Sequence, residues 1–234
     1  MVQPALPRLA ELEAILFDVG GTLVELDYGF IAERAAARGL EIEPGALRRG
    51  EAASRRHVDA VAQRQGGVLE SDERRRAGYL DRLMAEAGVP DAERSLLIPE
   101  VEAAHAQTNL WRVEMRGASH TLAALRARGL QTAAVSNADG RVEAILAALD
   151  LTAHLSLVVD SHLEGVEKPD PEIFRRALAR LGVTAARAAY VGDIYSIDVV
   201  GARAAGLVPI LLDPTGGYRD ADCATMASLS ALLG

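Results

Sequence analysis

Five short, continuously apolar runs constrain most strongly how this 234-residue chain folds. They comprise residues 14–17, 132–135, 155–159, 188–191 and 207–212. Strands buried on both faces read as continuous apolar runs, whereas strands with one face in water alternate apolar and polar residues. Amphipathic segments of helical period separate the last four runs, as right-handed crossovers between parallel strands require. The chain is therefore predicted to be an α/β protein with a doubly wound parallel sheet.

A long insertion follows the first run. About a hundred residues separate the first run from the second, far more than one crossover needs. Residues 27–111 contain several helix-length segments and no convincing strand pattern. We therefore expect a discontinuous core formed by residues 1–24 and 112–234, and a small all-helical domain formed by residues 25–111.

Polar residues follow the predicted strands at the edge where a doubly wound sheet binds its ligands, beyond the carboxyl ends of the strands. They are Asp18 after the first run, Ser136 and Asn137 after the second, Lys168 between the third and fourth, and Asp193 and Asp198 after the fourth. Carboxylates, a hydroxyl group and an ammonium group that converge on one edge suit a divalent cation and a phosphate.

Lys168 is the only lysine among the 25 Lys and Arg residues of the chain. Lysine carries a compact ammonium group that fits beside a carboxylate and a phosphoryl oxygen, where the planar guanidinium group of arginine fits less readily. A composition that otherwise uses arginine throughout therefore favours a specific role for Lys168 over a chance surface position.

Four segments resemble, in order and in structural context, the four motifs of the haloacid dehalogenase-like hydrolases. They are Asp18-Val19-Gly20-Gly21-Thr22, Ser136, Lys168-Pro169, and Gly192-Asp193 through Asp198. Each motif alone is weak evidence, but four motifs on the expected strand ends are specific. The resemblance covers roughly residues 10–24 and 112–234, and the insertion lies where that family places a helical cap. It implies a Rossmann-like core and a Mg²⁺-dependent hydrolase, most often a phosphatase of small phosphorylated metabolites.

The resemblance also implies a nucleophile and a metal site. Asp18 would attack phosphorus and form an aspartyl-phosphate, which water then hydrolyses. The metal would be Mg²⁺, bound by the carboxylates of Asp18 and Asp193 and by the backbone carbonyl of Gly20.

Further residues are implied to contact the phosphate or to support those that do. Ser136 and Lys168 would act in catalysis and bind phosphate oxygens, and Asn137 would bind phosphate beside them. Asp198 would orient a water molecule or Lys168 from behind the metal site. A simple capping role at the next helix is the alternative for Asp198.

Gly20 departs from the pattern of the family's phosphatases, which have a second aspartate two residues after the nucleophile. That aspartate protonates the leaving oxygen, and general acid–base catalysis is typically worth about 10²–10⁴ in rate. Another group could replace it, with Glu25, Asp27, Tyr195, a carboxylate of the insertion and the substrate itself as candidates. Alternatively, the protein binds a phosphorylated ligand with little turnover.

Two other branches of the family also lack the second aspartate. The 2-haloacid dehalogenases have no magnesium site and an altered fourth motif, so Gly192-Asp193 argues against that alternative. The phosphonate hydrolases form a Schiff base with a cap lysine, and the insertion here contains no lysine. A phosphatase remains the favoured prediction.

Composition limits the remaining choices. The formal net charge of −8 argues against a nucleic-acid partner, and no apolar run approaches the ~18 residues that a membrane span needs. Cys223 is the only cysteine, so no intramolecular disulfide can form, and we expect a cytoplasmic location. The sequence leaves open whether the chain is a monomer or a homodimer.

Overall fold

The computed structural model describes residues 3–64 and 78–234. The chain forms two compact units, one made of Met1–Glu25 and Arg112–Gly234, the other of Leu26–Trp111. The strands in chain order are β1 (Ala14–Phe17), β2 (Val24–Leu26), β3 (Trp111–Glu114), β4 (Gln131–Ser136), β5 (Leu157–Asp160), β6 (Ala188–Gly192), β7 (Val208–Leu212) and β8 (Ala224–Met226). The α-helices are α1 (Tyr28–Ala36), α2 (Pro44–Arg64), α3 (Tyr79–Glu86), α4 (Asp91–Thr108), α5 (Ala118–Ala127), α6 (Val142–Ala148), α7 (Ser161–Glu164), α8 (Pro171–Leu181) and α9 (Val200–Ala204).

A six-stranded parallel sheet with the order β5-β4-β1-β6-β7-β8 forms the centre of the first unit. The doubly wound α/β fold predicted from the sequence is confirmed, and each of the five apolar runs forms a strand. The sixth strand, β8, was not predicted, because it has only three residues and occupies an edge of the sheet. A run this short lacks the apolar length from which the other strands were recognised.

One face of this sheet packs against α8. Leu16, Val135 and Tyr190 from the three central strands are buried in one cluster with Ile173 and Phe174 of the helix. The helix begins at Pro171 after Asp170, whose side chain accepts a hydrogen bond from the Glu172 N–H, and ends at Gly182 in the left-handed conformation. Burial on both faces explains why these strands are continuously apolar.

The second unit is helical. Helices α1 to α4 enclose an apolar core that includes Ile31, Leu47, Leu83 and Leu97. Helices α2 and α3 approach closely at Gly50, where an added Cβ would lie 2.3 Å from the carbonyl oxygen of Leu83. No strand occurs within residues 27–64 and 78–110, as the sequence predicted for the insertion.

Strands β2 and β3 pair with each other in a separate two-stranded sheet. The boundaries between the two units fall within these strands, at residues 25–26 and 111–112. This small sheet was not predicted, because neither strand exceeds four residues.

No helix within the described part of the chain is long and apolar enough to cross a membrane.

Candidate active site

The register of the central strands brings the polar strand ends together. Phe17 at the end of β1 lies opposite Ala134 of β4 on one side and Val191 of β6 on the other. Ser136 and Asp193 lie two residues beyond these partners. Because neighbouring strands are only ~4.8 Å apart, both residues flank the segment that follows β1. The nucleophile predicted from the sequence, Asp18, is the first residue of that segment.

Asp18 is buried, with 8% of its surface exposed. Its backbone N–H donates to the carbonyl of Val191 at 2.8 Å, which ties the residue to β6. Its Oδ1 atom lies 2.7 Å from Nζ of Lys168. The chain then turns sharply at Gly21, which has a φ of 77° that favours glycine. The turn directs Asp18 and the following backbone to the edge of the sheet.

Lys168 is 1% exposed, and its ammonium group is surrounded by oxygen atoms. Besides Asp18, its Nζ contacts Oδ1 of Asp198 at 2.7 Å and the hydroxyl oxygen of Tyr190 at 2.8 Å. Its backbone is also fixed, because the N–H of Lys168 donates to Oδ1 of Asn137 at 2.7 Å and Nδ2 of Asn137 donates to the carbonyl of Lys168 at 2.9 Å. The structure therefore places Asn137, predicted as a phosphate ligand, with its side-chain amide on the backbone of Lys168.

Asp198 lies in a π-helical turn, Tyr195–Val199, that follows β6. Its Oδ2 accepts hydrogen bonds from the backbone N–H groups of Asp193 and Ile194, both at 3.0 Å. The carboxylate lies against Gly192, where an added Cβ would be 2.3 Å from Cγ of Asp198. A residue with a side chain at position 192 would therefore displace Asp198.

Three carboxylates are close enough to share a cation. Ligand oxygens of Asp18, Asp193 and Asp198 all lie within 4.8 Å of one another. Both oxygens of Asp198 accept hydrogen bonds within the protein, Oδ1 from Lys168 and Oδ2 from the backbone N–H of Asp193. Among the backbone hydrogen bonds of the described residues, none ends on the carbonyl of Gly20, whereas the carbonyl of Val19 accepts three.

The three carboxyl groups cluster around one ammonium group, that of Lys168, in a buried site. Carboxylates brought this close together repel one another, and a cation placed among them relieves the repulsion. A hard divalent cation prefers oxygen ligands, so the residues present fit Mg²⁺.

Burial and charge act in opposite directions on the ionisable groups. Burial raises the pKa of Asp18, while Lys168 opposes that shift. Burial alone would lower the pKa of Lys168, but the neighbouring carboxylates of Asp18 and Asp198 outweigh it and raise the pKa. Burial raises the pKa of Tyr190 well above its ordinary value, and Asp198 adds to the shift. Lys168 is therefore charged and Tyr190 protonated at neutral pH.

Three side chains were named from the sequence as possible replacements for the missing general acid: Glu25, Asp27 and Tyr195. The carboxylate of Asp27 accepts a hydrogen bond from the N–H of Phe30 at 2.8 Å and caps α1. The hydroxyl of Tyr195 donates to Asp222 at 2.6 Å and accepts from Arg203 at 3.3 Å. Glu25 lies in β2 and is half-buried. The side chains of Asp27 and Tyr195 are thus engaged in local structure.

Tyr190 is the site residue that sequence reasoning missed. It lies in the middle of β6, whose other residues are alanine, valine and glycine. A tyrosine in a fully buried strand needs a hydrogen-bond partner for its hydroxyl group, which is the signal that could have identified it.

Known proteins resemble this chain in both sequence and fold. Residues 12–206 match the model of the family described as haloacid dehalogenase-like hydrolase. The human haloacid dehalogenase-like hydrolase domain-containing protein 3 is 36% identical over 211 residues, which cover 86% of this chain and 82% of the human protein. The ribulose-1,5-bisphosphate 5-phosphatase of Halopiger xanaduensis is 31% identical over 213 residues, which cover 86% of this chain and 85% of that protein.

Among solved structures, the magnesium-bound HAD-hydrolase YfnB of Bacillus subtilis superposes with a TM-score of 0.65 at 17% identity, covering 94% of this chain and 96% of its own. At that identity the likeness concerns the fold alone. The family match spans most of the chain, and the human relative aligns over most of its own length. The chain belongs to the haloacid dehalogenase-like hydrolases.

Proposed function

We propose that this chain is a Mg²⁺-dependent phosphatase of small phosphorylated metabolites, with the sheet unit as its catalytic core and residues 25–111 as its cap. The observation that carries the proposal is the buried cluster of three carboxyl groups, Asp18, Asp193 and Asp198, at the carboxyl edge of the sheet. Such a cluster beside Lys168 suits a site that takes up a divalent cation with a phosphorylated ligand. A relative aligned over most of this chain bears the name of a phosphatase, which supports the same conclusion.

The reaction follows from the chemistry of Asp18. A carboxylate oxygen of Asp18 attacks phosphorus, the bond from phosphorus to the leaving oxygen breaks, and the leaving group departs with the bonding electron pair. Water then attacks the aspartyl-phosphate, which releases inorganic phosphate and regenerates Asp18. Lys168 keeps the Asp18 carboxylate in place, and Ser136 donates a hydrogen bond to a phosphate oxygen. When bound to Asp18, Asp193 and the carbonyl of Gly20, Mg²⁺ supplies charge neutralisation for the phosphoryl group.

Gly20 determines which leaving groups are favoured. Without a carboxyl group at position 20, an alkoxide would have to leave without a nearby proton donor there. Aryl and acyl phosphates leave as weaker bases and need a proton less. We therefore propose that the enzyme hydrolyses aryl and acyl phosphates faster than sugar phosphates.

The substitution Gly20→Asp tests this proposal. Gly20 is not among the residues with positive φ, so an aspartate is compatible with its backbone, unlike at Gly21. We expect hydrolysis of an alkyl phosphate to rise by about 10²-fold, at the lower end of the range for general acid catalysis. The measurement is kcat/KM for a sugar phosphate and for p-nitrophenyl phosphate, with and without Mg²⁺.

The matched control is Gly20→Asn, which has the same shape but donates no carboxyl proton. A gain in Gly20→Asp that is absent from Gly20→Asn identifies the missing acid. Equal wild-type rates on sugar and aryl phosphates would contradict the leaving-group preference, and activity independent of Mg²⁺ would contradict the proposed mechanism.

The absent carboxyl group at Gly20 also favours a second candidate, a protein that binds phosphorylated ligands with little turnover. It predicts Mg²⁺-dependent binding of inorganic phosphate by calorimetry without release of phosphate from any substrate of a broad panel. The 2-haloacid dehalogenase alternative predicts halide release from 2-chloropropionate without Mg²⁺. The carboxylate cluster of Asp18, Asp193 and Asp198 disfavours it, because such a cluster suits a metal ion.

A further inference from the structure

The ammonium group of Lys168 lies among three oxygen atoms of the protein. An ammonium group has three N–H donors. In the structure it donates to Oδ1 of Asp198 at 2.7 Å and to the hydroxyl oxygen of Tyr190 at 2.8 Å, and it forms an ion pair with Oδ1 of Asp18 at 2.7 Å. The hydroxyl oxygen of Tyr190 thus takes one N–H that a phosphate oxygen could otherwise accept.

The hydroxyl group of Tyr190 is oriented by the sheet. It lies 2.9 Å from the carbonyl oxygen of Val135 in β4 and 3.3 Å from Oδ1 of Asp198. Both of these oxygen atoms only accept hydrogen bonds, so the single hydroxyl proton of Tyr190 points to the nearer one, the carbonyl oxygen of Val135. A lone pair of the hydroxyl oxygen then faces Lys168. The neighbouring strand therefore fixes Tyr190 as an acceptor for Lys168.

The ring of Tyr190 is equally constrained. Its edge-to-face contact with Phe174 of α8 has a centroid distance of 4.8 Å and an interplanar angle of 86°. The residue is 1% exposed, as is Lys168. The hydroxyl group consequently has little freedom to leave the ammonium group.

We propose that Tyr190 is a positioning residue for the reaction proposed above: it accepts one N–H of Lys168 and thereby holds the ammonium group beside the carboxylate of Asp18. Lys168 then acts on the nucleophile, and recognition of the transferred phosphoryl group falls to other groups, Ser136 among them. This inference rests on the proposed phosphatase function and changes the role that the family resemblance implied for Lys168.

The test is Tyr190→Phe, which removes the hydroxyl group and keeps the ring that packs on Phe174. With p-nitrophenyl phosphate and Mg²⁺ we expect kcat to fall about tenfold, the effect of losing one hydrogen bond to a charged group. We expect KM and the inhibition constant of inorganic phosphate to change by less than about twofold, because Tyr190 does not act on bound phosphate.

Thr132→Val is the matched control. The buried hydroxyl group of Thr132 donates to the carbonyl of His154, so this variant also loses one buried hydroxyl-to-carbonyl bond of the same sheet. Thr132 lies four residues before Ser136 in β4, roughly 13 Å along the strand. We expect a similar loss of thermal stability in both variants, with kcat reduced in Tyr190→Phe alone.

Two results would overturn the role of Tyr190. One is a kcat in Tyr190→Phe within about twofold of the active wild type, or a loss that Thr132→Val shares. The other is a rise in KM and in the phosphate inhibition constant as large as the fall in kcat, which would place Lys168 on the phosphate. Absence of Mg²⁺-dependent turnover in the wild type would instead remove the proposed function and, with it, this inference.

Discussion

Each unit of the molecule buries a group of ionisable side chains, and the two groups differ in composition. In the helical unit, Glu51 pairs with Arg55 at 2.9 Å and accepts hydrogen bonds from the hydroxyl groups of Tyr28 and Tyr79. One carboxylate there meets one guanidinium group and two neutral donors. In the sheet unit, three carboxylates meet the single ammonium group of Lys168.

The difference separates a structural cluster from a functional one. An acid–base pair that also accepts hydrogen bonds from neighbouring helices is consistent with a role in holding α1, α2 and α3 together. Three carboxylates crowded around one ammonium group repel one another, which lowers the stability of the metal-free protein and favours the binding of a cation. Sites that bind ligands commonly carry such local costs. Three substitutions test whether this distinction holds.

The largest expected effect is on catalysis by Asp18→Asn. Asparagine preserves the shape of the side chain but forms no aspartyl-phosphate, so we expect kcat to fall by at least about 10³-fold. Release of phosphate from p-nitrophenyl phosphate in Mg²⁺ measures it. Retained activity in this variant would contradict both the nucleophile and the contrast between the two clusters.

A smaller effect is expected in the helical unit from Glu51→Gln. The substitution removes a buried carboxylate that pairs with Arg55, and we expect a loss of about 3 kcal/mol in the free energy of unfolding. Urea denaturation monitored by far-UV circular dichroism measures it. The control is Glu43→Gln, which removes an exposed ion pair with Arg49 and should cost under about 1 kcal/mol. Equal losses in the two variants would argue against a structural role for the cluster.

The smallest expected effect has the opposite sign. Asp193→Asn removes one of three crowded carboxylates and lowers their mutual repulsion, so the metal-free variant should be about 1 kcal/mol more stable than the metal-free wild type. Mg²⁺ at about 100 times its dissociation constant should stabilise the wild type by about 2.7 kcal/mol and the variant by much less. Thermal unfolding with Mg²⁺ and with EDTA measures both. A metal-free variant less stable than the wild type would show that Asp193 is structural.

Features that depend on a short stretch of sequence were predictable, whereas contacts between separate elements were not. The strands that cross the middle of the sheet are continuous apolar runs, and Asp18 and Asp193 follow such runs directly, so fold and strand-end residues were predictable. The contacts of Asn137 and Tyr190 with Lys168 were not, because each contact joins two separate elements: Asn137 contacts the backbone of Lys168 and Tyr190 its ammonium group. Residue type alone indicates a hydrogen bond but not the atom that receives it.

The contact between Asp198 and Gly192 was likewise not predictable from the sequence. The spacing of these residues matched the fourth motif, whereas the reason for the glycine became visible only in the structure. A side chain at position 192 would collide with the carboxylate that orients Lys168.

Since the chain has one lysine and that lysine is 1% exposed, its chemical reactivity reports on a single place. A reagent that acylates lysine side chains therefore finds no lysine side chain other than that of Lys168. Acylation of Lys168 therefore proceeds only as fast as the ammonium group loses its three oxygen partners and reaches solvent. The rate of modification therefore measures how often the sheet edge around Asp18 opens. Mass spectrometry detects the modification as one mass increment on the peptide that contains Lys168.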